Sequence, residues 1–212
     1  MIKNDLNRFV ENDSSVSMSI SMAYAEHVLN MSGVFFIELY DGDGNLVEKR
    51  ELKNLITYDA GILAARLCKN PLEPAHGFNM LAVGTGATGS ILSPDAPDRR
   101  QRKLNLEIER KAFSSVIFRN SLGQAVSYPT NVVDFVTTFG SSEAVGPLTE
   151  MGILSTISDN VAIKNPNPNN FPTRDVTVDL TGYDILCNYL TFPVVSKSIG
   201  YSLSIVWRIT FG

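Results

Sequence analysis

The stretch from Tyr201 to Phe211 restricts what this chain can fold into more than any other. Tyr201, Leu203, Ile205, Trp207, Ile209 and Phe211 alternate with Ser202, Ser204, Val206, Arg208 and Thr210. Successive residues of a strand point to opposite faces, so this pattern makes one broad apolar face and one mostly polar face. A helix would scatter the same side chains around its whole circumference. The segment is therefore a long, half-buried strand, and its apolar face needs a second layer to cover it. Trp207, flanked on that face by Ile205 and Ile209, belongs to the core rather than to an exposed aromatic platform.

The same period recurs upstream. Leu104, Leu106 and Ile108 alternate with Asn105, Glu107 and Glu109; Val133, Phe135 and Phe139 with Asp134, Val136 and Thr138; Val176, Val178 and Leu180 with Thr177 and Asp179. Residues 34–39 and 113–118 are β-branched and aromatic runs of strand length. Asp41-Gly42-Asp43-Gly44-Asn45 separates the first of these runs from residues 46–52 and reads as a hairpin connection, its glycines supplying positive φ. One helix is expected over residues 58–69. Thr57 caps it, Ile62, Leu63 and Leu67 give it an apolar stripe, and Pro71 forbids its continuation. Prolines make loops of residues 89–100 and 165–172. In the first 30 residues, Val16, Met18, Ile20 and Met22 alternate like a strand while residues 23–29 suit a helical turn. The expected fold is mainly β, an antiparallel β-sandwich of jelly-roll-like type with one α-helix, spanning residues 33–212. Residues 1–32 precede it as an extended N-terminal arm ordered by a neighbour.

With 212 residues, 44% hydrophobic and 19% charged, the chain is long enough for a substantial core and too apolar for disorder. Its net charge of −4 argues against a general nucleic-acid coat. No apolar run approaches the roughly 20 residues of a membrane helix. The opening Met1-Ile2-Lys3-Asn4-Asp5-Leu6 lacks the apolar core of a signal peptide, so assembly in the cytoplasm is expected. Cys68 and Cys187 read as two buried, reduced thiols rather than a disulfide.

Motifs for chemistry fail on their own terms. Gly84, Gly86 and Gly89 satisfy a Gly-x-Gly-x-x-Gly spacing, but Pro94 and Pro97 follow where a dinucleotide fold requires a helix. No lysine precedes Ser90, so the phosphate-loop pattern fails too, and a tight strand-exit turn is expected. Asp41, Asp43 and Asn45 have calcium-loop spacing, but Leu46 and Leu52 occupy the positions of the glycine and the bidentate glutamate. Two histidines, His27 and His76, cannot build a histidine-rich metal site, and no Gly-x-Ser-x-Gly elbow is present. Arg99, Arg100, Arg102 and Lys103 form a basic cluster flanked by Asp95, Asp98, Glu107 and Glu109. It reads as solvated surface ahead of an inter-subunit salt-bridge patch. No catalytic, cofactor-binding or metal-binding residue is expected, and neither is a small-molecule substrate.

Certain segments also occur in a telling order. Asn54-Leu55-Ile56-Thr57 opens the helix, Ala82-Val83-Gly84-Thr85-Gly86 ends a strand, and a charged strand follows over residues 105–111. Then come Thr138-Phe139-Gly140-Ser141-Ser142-Glu143-Ala144-Val145-Gly146-Pro147-Leu148-Thr149-Glu150-Met151-Gly152-Ile153-Leu154 and Leu190-Thr191-Phe192-Pro193-Val194-Val195-Ser196-Lys197-Ser198 before the terminal strand. This series resembles a widespread group of tailed-phage virion proteins, which includes tail-fibre-like, collar and capsid-decoration components. The resemblance runs from Asn54 to the end of the chain; residues 1–50 and the segment 89–100 stand outside it. It implies a β-sandwich structural component without catalytic residues, placed at the head surface, neck or tail. Its partners would be copies of itself, with a trimer as one candidate order, and other virion proteins. The competing expectation is a receptor- or carbohydrate-binding module of a phage fibre.

Overall fold

The computed structural model describes residues 31–69, 77–156 and 184–212. The expectations for the arm pattern of residues 16–22, the helical turn at 23–29, the strand at 176–180 and the loop at 165–172 lie outside the described residues, as do His27, Pro71 and His76.

The chain forms β1 (Met31–Tyr40), β2 (Leu46–Lys53), β3 (Leu55–Ile56), helix α1 (Tyr58–Lys69), β4 (Met80–Gly84), β5 (Gly89–Ser90) and β6 (Ser93–Pro94). It continues with β7 (Glu107–Ala112), β8 (Ser115–Arg119), β9 (Ala125–Val126), β10 (Val132–Phe139), β11 (Gly146–Ser155), β12 (Ile185–Lys197) and β13 (Ser202–Phe211). Two antiparallel sheets result, in the orders β2-β1-β13-β10-β8-β9 and β3-β12-β11-β4-β7, with β5 and β6 as a small separate hairpin. The described residues form the mainly β, antiparallel β-sandwich that the alternating segments predict, with one helix among them.

The apolar stripe of β13 lies at its centre. Leu203, Ile205, Trp207 and Ile209 are buried beside Phe35, Ile37 and Leu39 of β1, facing Leu81, Val83, Met151, Ile153, Leu190, Phe192 and Val195 of the opposite sheet. Trp207 is the hub. The rings of Phe35, Phe78 and Phe135 surround it with centroids at 6.0, 5.2 and 5.3 Å.

The β1–β2 turn is tied by Asp41, whose Oδ1 accepts the N–H groups of Asp43 (3.0 Å) and Asn45 (2.8 Å), with Gly44 at φ 82°. Thr57 caps α1 as expected: its hydroxyl accepts the Ala60 N–H at 3.4 Å and donates to the Leu186 carbonyl at 2.5 Å.

Four details differ from the sequence reading. The buried side of α1 is Asp59, Ala60 and Leu63, whereas Ile62 and Leu67 are exposed, because the helix rests on β12 along a narrow line. The charged strand starts only at Glu107; Leu104 is buried within a covering loop and Leu106 is exposed. Residues 113–118 are not one strand, since the chain passes between sheets at Phe113 and Ser114, whose N–H bonds the Val136 carbonyl at 2.7 Å. Finally, β1 begins at Met31, paired with Phe211, so Met31 and Ser32 belong to the sandwich and not to the arm.

Candidate assembly face

The outer faces of the two sheets are treated differently by the chain. Behind the five-stranded sheet, Met80, Ala82, Leu154, Leu186 and Tyr189 are packed with Leu104, and Ile185 and Cys187 with Ala60 and Leu63 of α1. Gly152 makes room for this cover. A Cβ there would lie 2.6 Å from Leu186 Cδ1 and 2.7 Å from the Asn188 carbonyl.

A buried carboxylate fastens the cover. Glu150, on β11, is 0% exposed. Its Oε1 accepts the backbone N–H groups of Gly86 (3.0 Å) and Leu106 (2.8 Å), and its Oε2 accepts Asn105 N–H (3.0 Å) and the Tyr189 hydroxyl (2.6 Å). Burial and the adjacent carboxylate both push the Tyr189 hydroxyl well above the ordinary phenol range. Close approach of two loops to one side chain explains the glycine motif: a Cβ on Gly84 or Gly86 would come within 2.7 Å of Glu150 Oε1. The motif is thus a strand exit fitted around a carboxylate of the protein itself. The same tie explains why residues 105 and 106 leave the β ladder, since their N–H groups serve Glu150 instead.

Further ion pairs lock this side. Arg110 holds both oxygens of Glu107 (2.6 and 3.0 Å) and reaches Asp184 at 2.6 Å. Burial raises the Glu107 carboxyl above its usual range, and Arg110 pulls against that shift. Within the basic cluster, Arg99 and Arg100 are exposed but Arg102 is buried, 3.1 Å from the equally buried Asp59 at the start of α1. The reading of that cluster as solvated surface therefore fails at Arg102, because Asp59 draws it into an intramolecular pair.

The six-stranded sheet turns a different surface outward. Val34, Phe36 and Glu38 of β1, Val206 and Arg208 of β13, and Val136 of β10 are half-buried, and no layer of described residues packs over them. At the centre of this face Asp134 is only 1% exposed. Arg208 grips it in a fork, Nε to Oδ1 at 2.7 Å and Nη2 to Oδ2 at 2.9 Å, while Arg119 Nε reaches Oδ2 at 2.8 Å. The Arg208 guanidinium also lies 5.3 Å from the centre of the Phe36 ring. Bidentate contact and the ring beneath it fix Arg208 in place more firmly than a lone surface pair. A shallow groove of 240 Å³ follows the group, lined by Phe36, Glu38, Lys49, Arg119, Asp134, Ser204, Val206 and Arg208. Two guanidiniums against one carboxylate leave its centre positively charged. At the edge of the face, Lys49 pairs with Glu38 at 2.7 Å, and the Tyr40 hydroxyl donates to Glu38 at 2.6 Å.

A second recess of 600 Å³ opens at one end of the sandwich, lined by Met31, Gly33, Lys53, Asn54, Tyr58 and Arg99 among others. Both polar atoms of the Asn54 amide are buried there with no hydrogen-bond partner among the described residues.

The sequence reading placed Trp207 and the turn at Asp41 correctly but missed Asp134 and Glu150. Asp134 occupies the polar phase of its strand and signals nothing by itself, for its arginine partners are 15 and 74 residues away. Glu150 left one trace, the small residues required at positions 84 and 86. Both cysteines are free thiols, but only Cys187 is buried; the expected burial of Cys68 fails because it lies in the last turn of α1, beyond the Ala60 and Leu63 contact with β12. Burial raises the Cys187 thiol above its ordinary range. Among the described residues no three His, Cys, Asp or Glu side chains converge as a metal site, and no helix is long and apolar enough to cross a membrane. No protein-family model matches the chain, and no curated protein sequence matches it.

Proposed function

We propose that the protein is a non-enzymatic structural component of a tailed-phage virion, at the head surface, neck or tail, which packs against copies of itself and other virion subunits. The observation that carries the reading is where the resembling segments fall. Residues 82–86 end β4, residues 138–154 run from the end of β10 through β11, residues 190–198 finish β12, and residues 201–211 take in all of β13. Those are the strands that build the core, so the resemblance concerns the sandwich and not a peripheral loop. The polar chemistry agrees with a structural role. Glu150, Glu107 and Asp134 are all spent on fixed ties to arginines, backbone N–H groups or a tyrosine. A part that repeats in a particle needs rigidity and a face for its neighbours; the sealed five-stranded side supplies the first, and the six-stranded side, uncovered among the described residues, the second.

Mass spectrometry of gradient-purified particles from a producing culture tests this directly. The chain is expected at a fixed ratio to the major capsid protein and retained through washing. Its recovery only in the soluble lysate would sink the virion reading.

One observation favours the second reading, a carbohydrate-binding module of a fibre. The Asn54 amide, without a hydrogen-bond partner among the described residues, lies in the same recess as Tyr58, which is 53% exposed. Saturable binding on a glycan array, lost in Asn54→Ala, would move the assignment to that class.

A further inference from the structure

We infer that the free edge of the six-stranded sheet pairs with the same edge of a second copy across a two-fold axis at Arg50. The inference rests on the self-assembly part of the reading above and not on the virion placement.

Among the described residues β2 is an edge strand whose one hydrogen-bonded neighbour is β1, and Val47, Lys49, Glu51 and Lys53 are all exposed. The Asn54 N–H is donated to the Gly33 carbonyl at 3.2 Å, and Lys53 lies opposite Val34 with Glu51 opposite Phe36. In an antiparallel pair, hydrogen-bonded and non-hydrogen-bonded positions alternate. The even-numbered residues of β2 therefore bond to β1, and the main-chain N–H and C=O groups of Lys49, Glu51 and Lys53 point outward. An exposed row of this kind is a template for another strand.

Charge selects the strand. A two-fold axis between antiparallel copies places one residue opposite itself, and its neighbours on either side opposite each other. With the axis at Lys49, two lysines meet; with the axis at Glu51, two glutamates meet. With the axis at Arg50, Lys49 of each copy meets Glu51 of the other, and these are the positions whose main-chain groups face outward. Opposite charges directly across a ladder stabilise it and like charges oppose it. Arg50 itself points to the core side, where it is paired with Glu48 and donates to the carbonyls of Pro193 and Val194, so each copy is held on its own sandwich. Native edge strands are commonly guarded by charged side chains, lysine above all. This one carries a sequence that becomes complementary under the two-fold. Pairing would join two six-stranded sheets into one, with the Asp134 faces continuous across the junction.

Sedimentation equilibrium on four samples tests the inference: wild type, Glu51→Lys, Lys49→Glu, and an equimolar mixture of the two variants. Both substitutions are on exposed positions, and circular dichroism checks that each variant is folded. Wild type is expected to dimerise through this edge. Each variant alone should associate about tenfold more weakly or worse, since both cross-strand pairs turn repulsive. The mixture should recover dimers, because the lysine introduced at position 51 of one variant then meets the glutamate introduced at position 49 of the other. Wild-type association left unchanged in Glu51→Lys would overturn this interface while leaving self-assembly standing, and so would a mixture that stays monomeric. A monomeric wild type would overturn both.

Discussion

Glu150→Ala is expected to lower the unfolding free energy by about 4 kcal/mol or more, a large share of the roughly 5–15 kcal/mol that holds a typical domain together. The reason is the number of donors that the carboxylate serves. Gly86, Asn105 and Leu106 give it their backbone N–H groups and Tyr189 its hydroxyl. Truncation leaves these groups without an acceptor beneath the covering loop, where a lost partner costs about 1–3 kcal/mol each before any relaxation. Glu150→Gln is the informative companion. It keeps the shape and one acceptor oxygen but turns an NH₂ group toward a donor, so it should cost about half as much. Urea unfolding gives the free energies. Hydrogen exchange locates the loss, with faster exchange expected at the Gly86, Asn105 and Leu106 amides while those of β13 keep their rank. A loss below about 1 kcal/mol in Glu150→Ala would show that the loop does not depend on this tie.

Trp207→Ala should cost about 3–5 kcal/mol, the range for deleting a large aromatic from a packed core. Its ring fills the space among Phe35, Phe78 and Phe135, and no backbone shift closes that void while β1 and β10 flank β13 on both sides. Trp207→Phe should be far milder, near 1 kcal/mol. It keeps most of the aromatic contact and removes an indole N–H that finds no acceptor among the described residues. Thermal and urea unfolding of the two variants separate volume from polarity. Equal losses in both would mean that the hub is held by its indole edge and not by its bulk.

These variants also mark how much could be read before the fold was known. Trp207 was legible because period-two alternation maps directly onto a sheet with one buried face. The hairpin at Asp41 and the cap at Thr57 were legible because local hydrogen bonding decides them. Glu150 and Asp134 were hidden for the opposite reason. Each is a charge in a strand whose burial is permitted only by partners brought from elsewhere in the chain: a loop, a tyrosine and two distant arginines. Alternation assigns such residues to the solvent face, and only tertiary structure reveals the loop that covers Glu150 and the arginines of neighbouring strands that close over Asp134. Leu106 and Ile62 fail in the converse sense. Their pattern suits burial, but Glu150 draws the chain out of the ladder at Leu106 and the helix rests on Ala60 and Leu63 instead.

The proposed packing of the chain against copies of itself is tested most directly by its mass in solution. Light scattering after size exclusion should give a discrete multiple of the 23.2 kDa chain mass that persists on moderate dilution. A single species at the mass of one chain, at every concentration tried, would contradict the account.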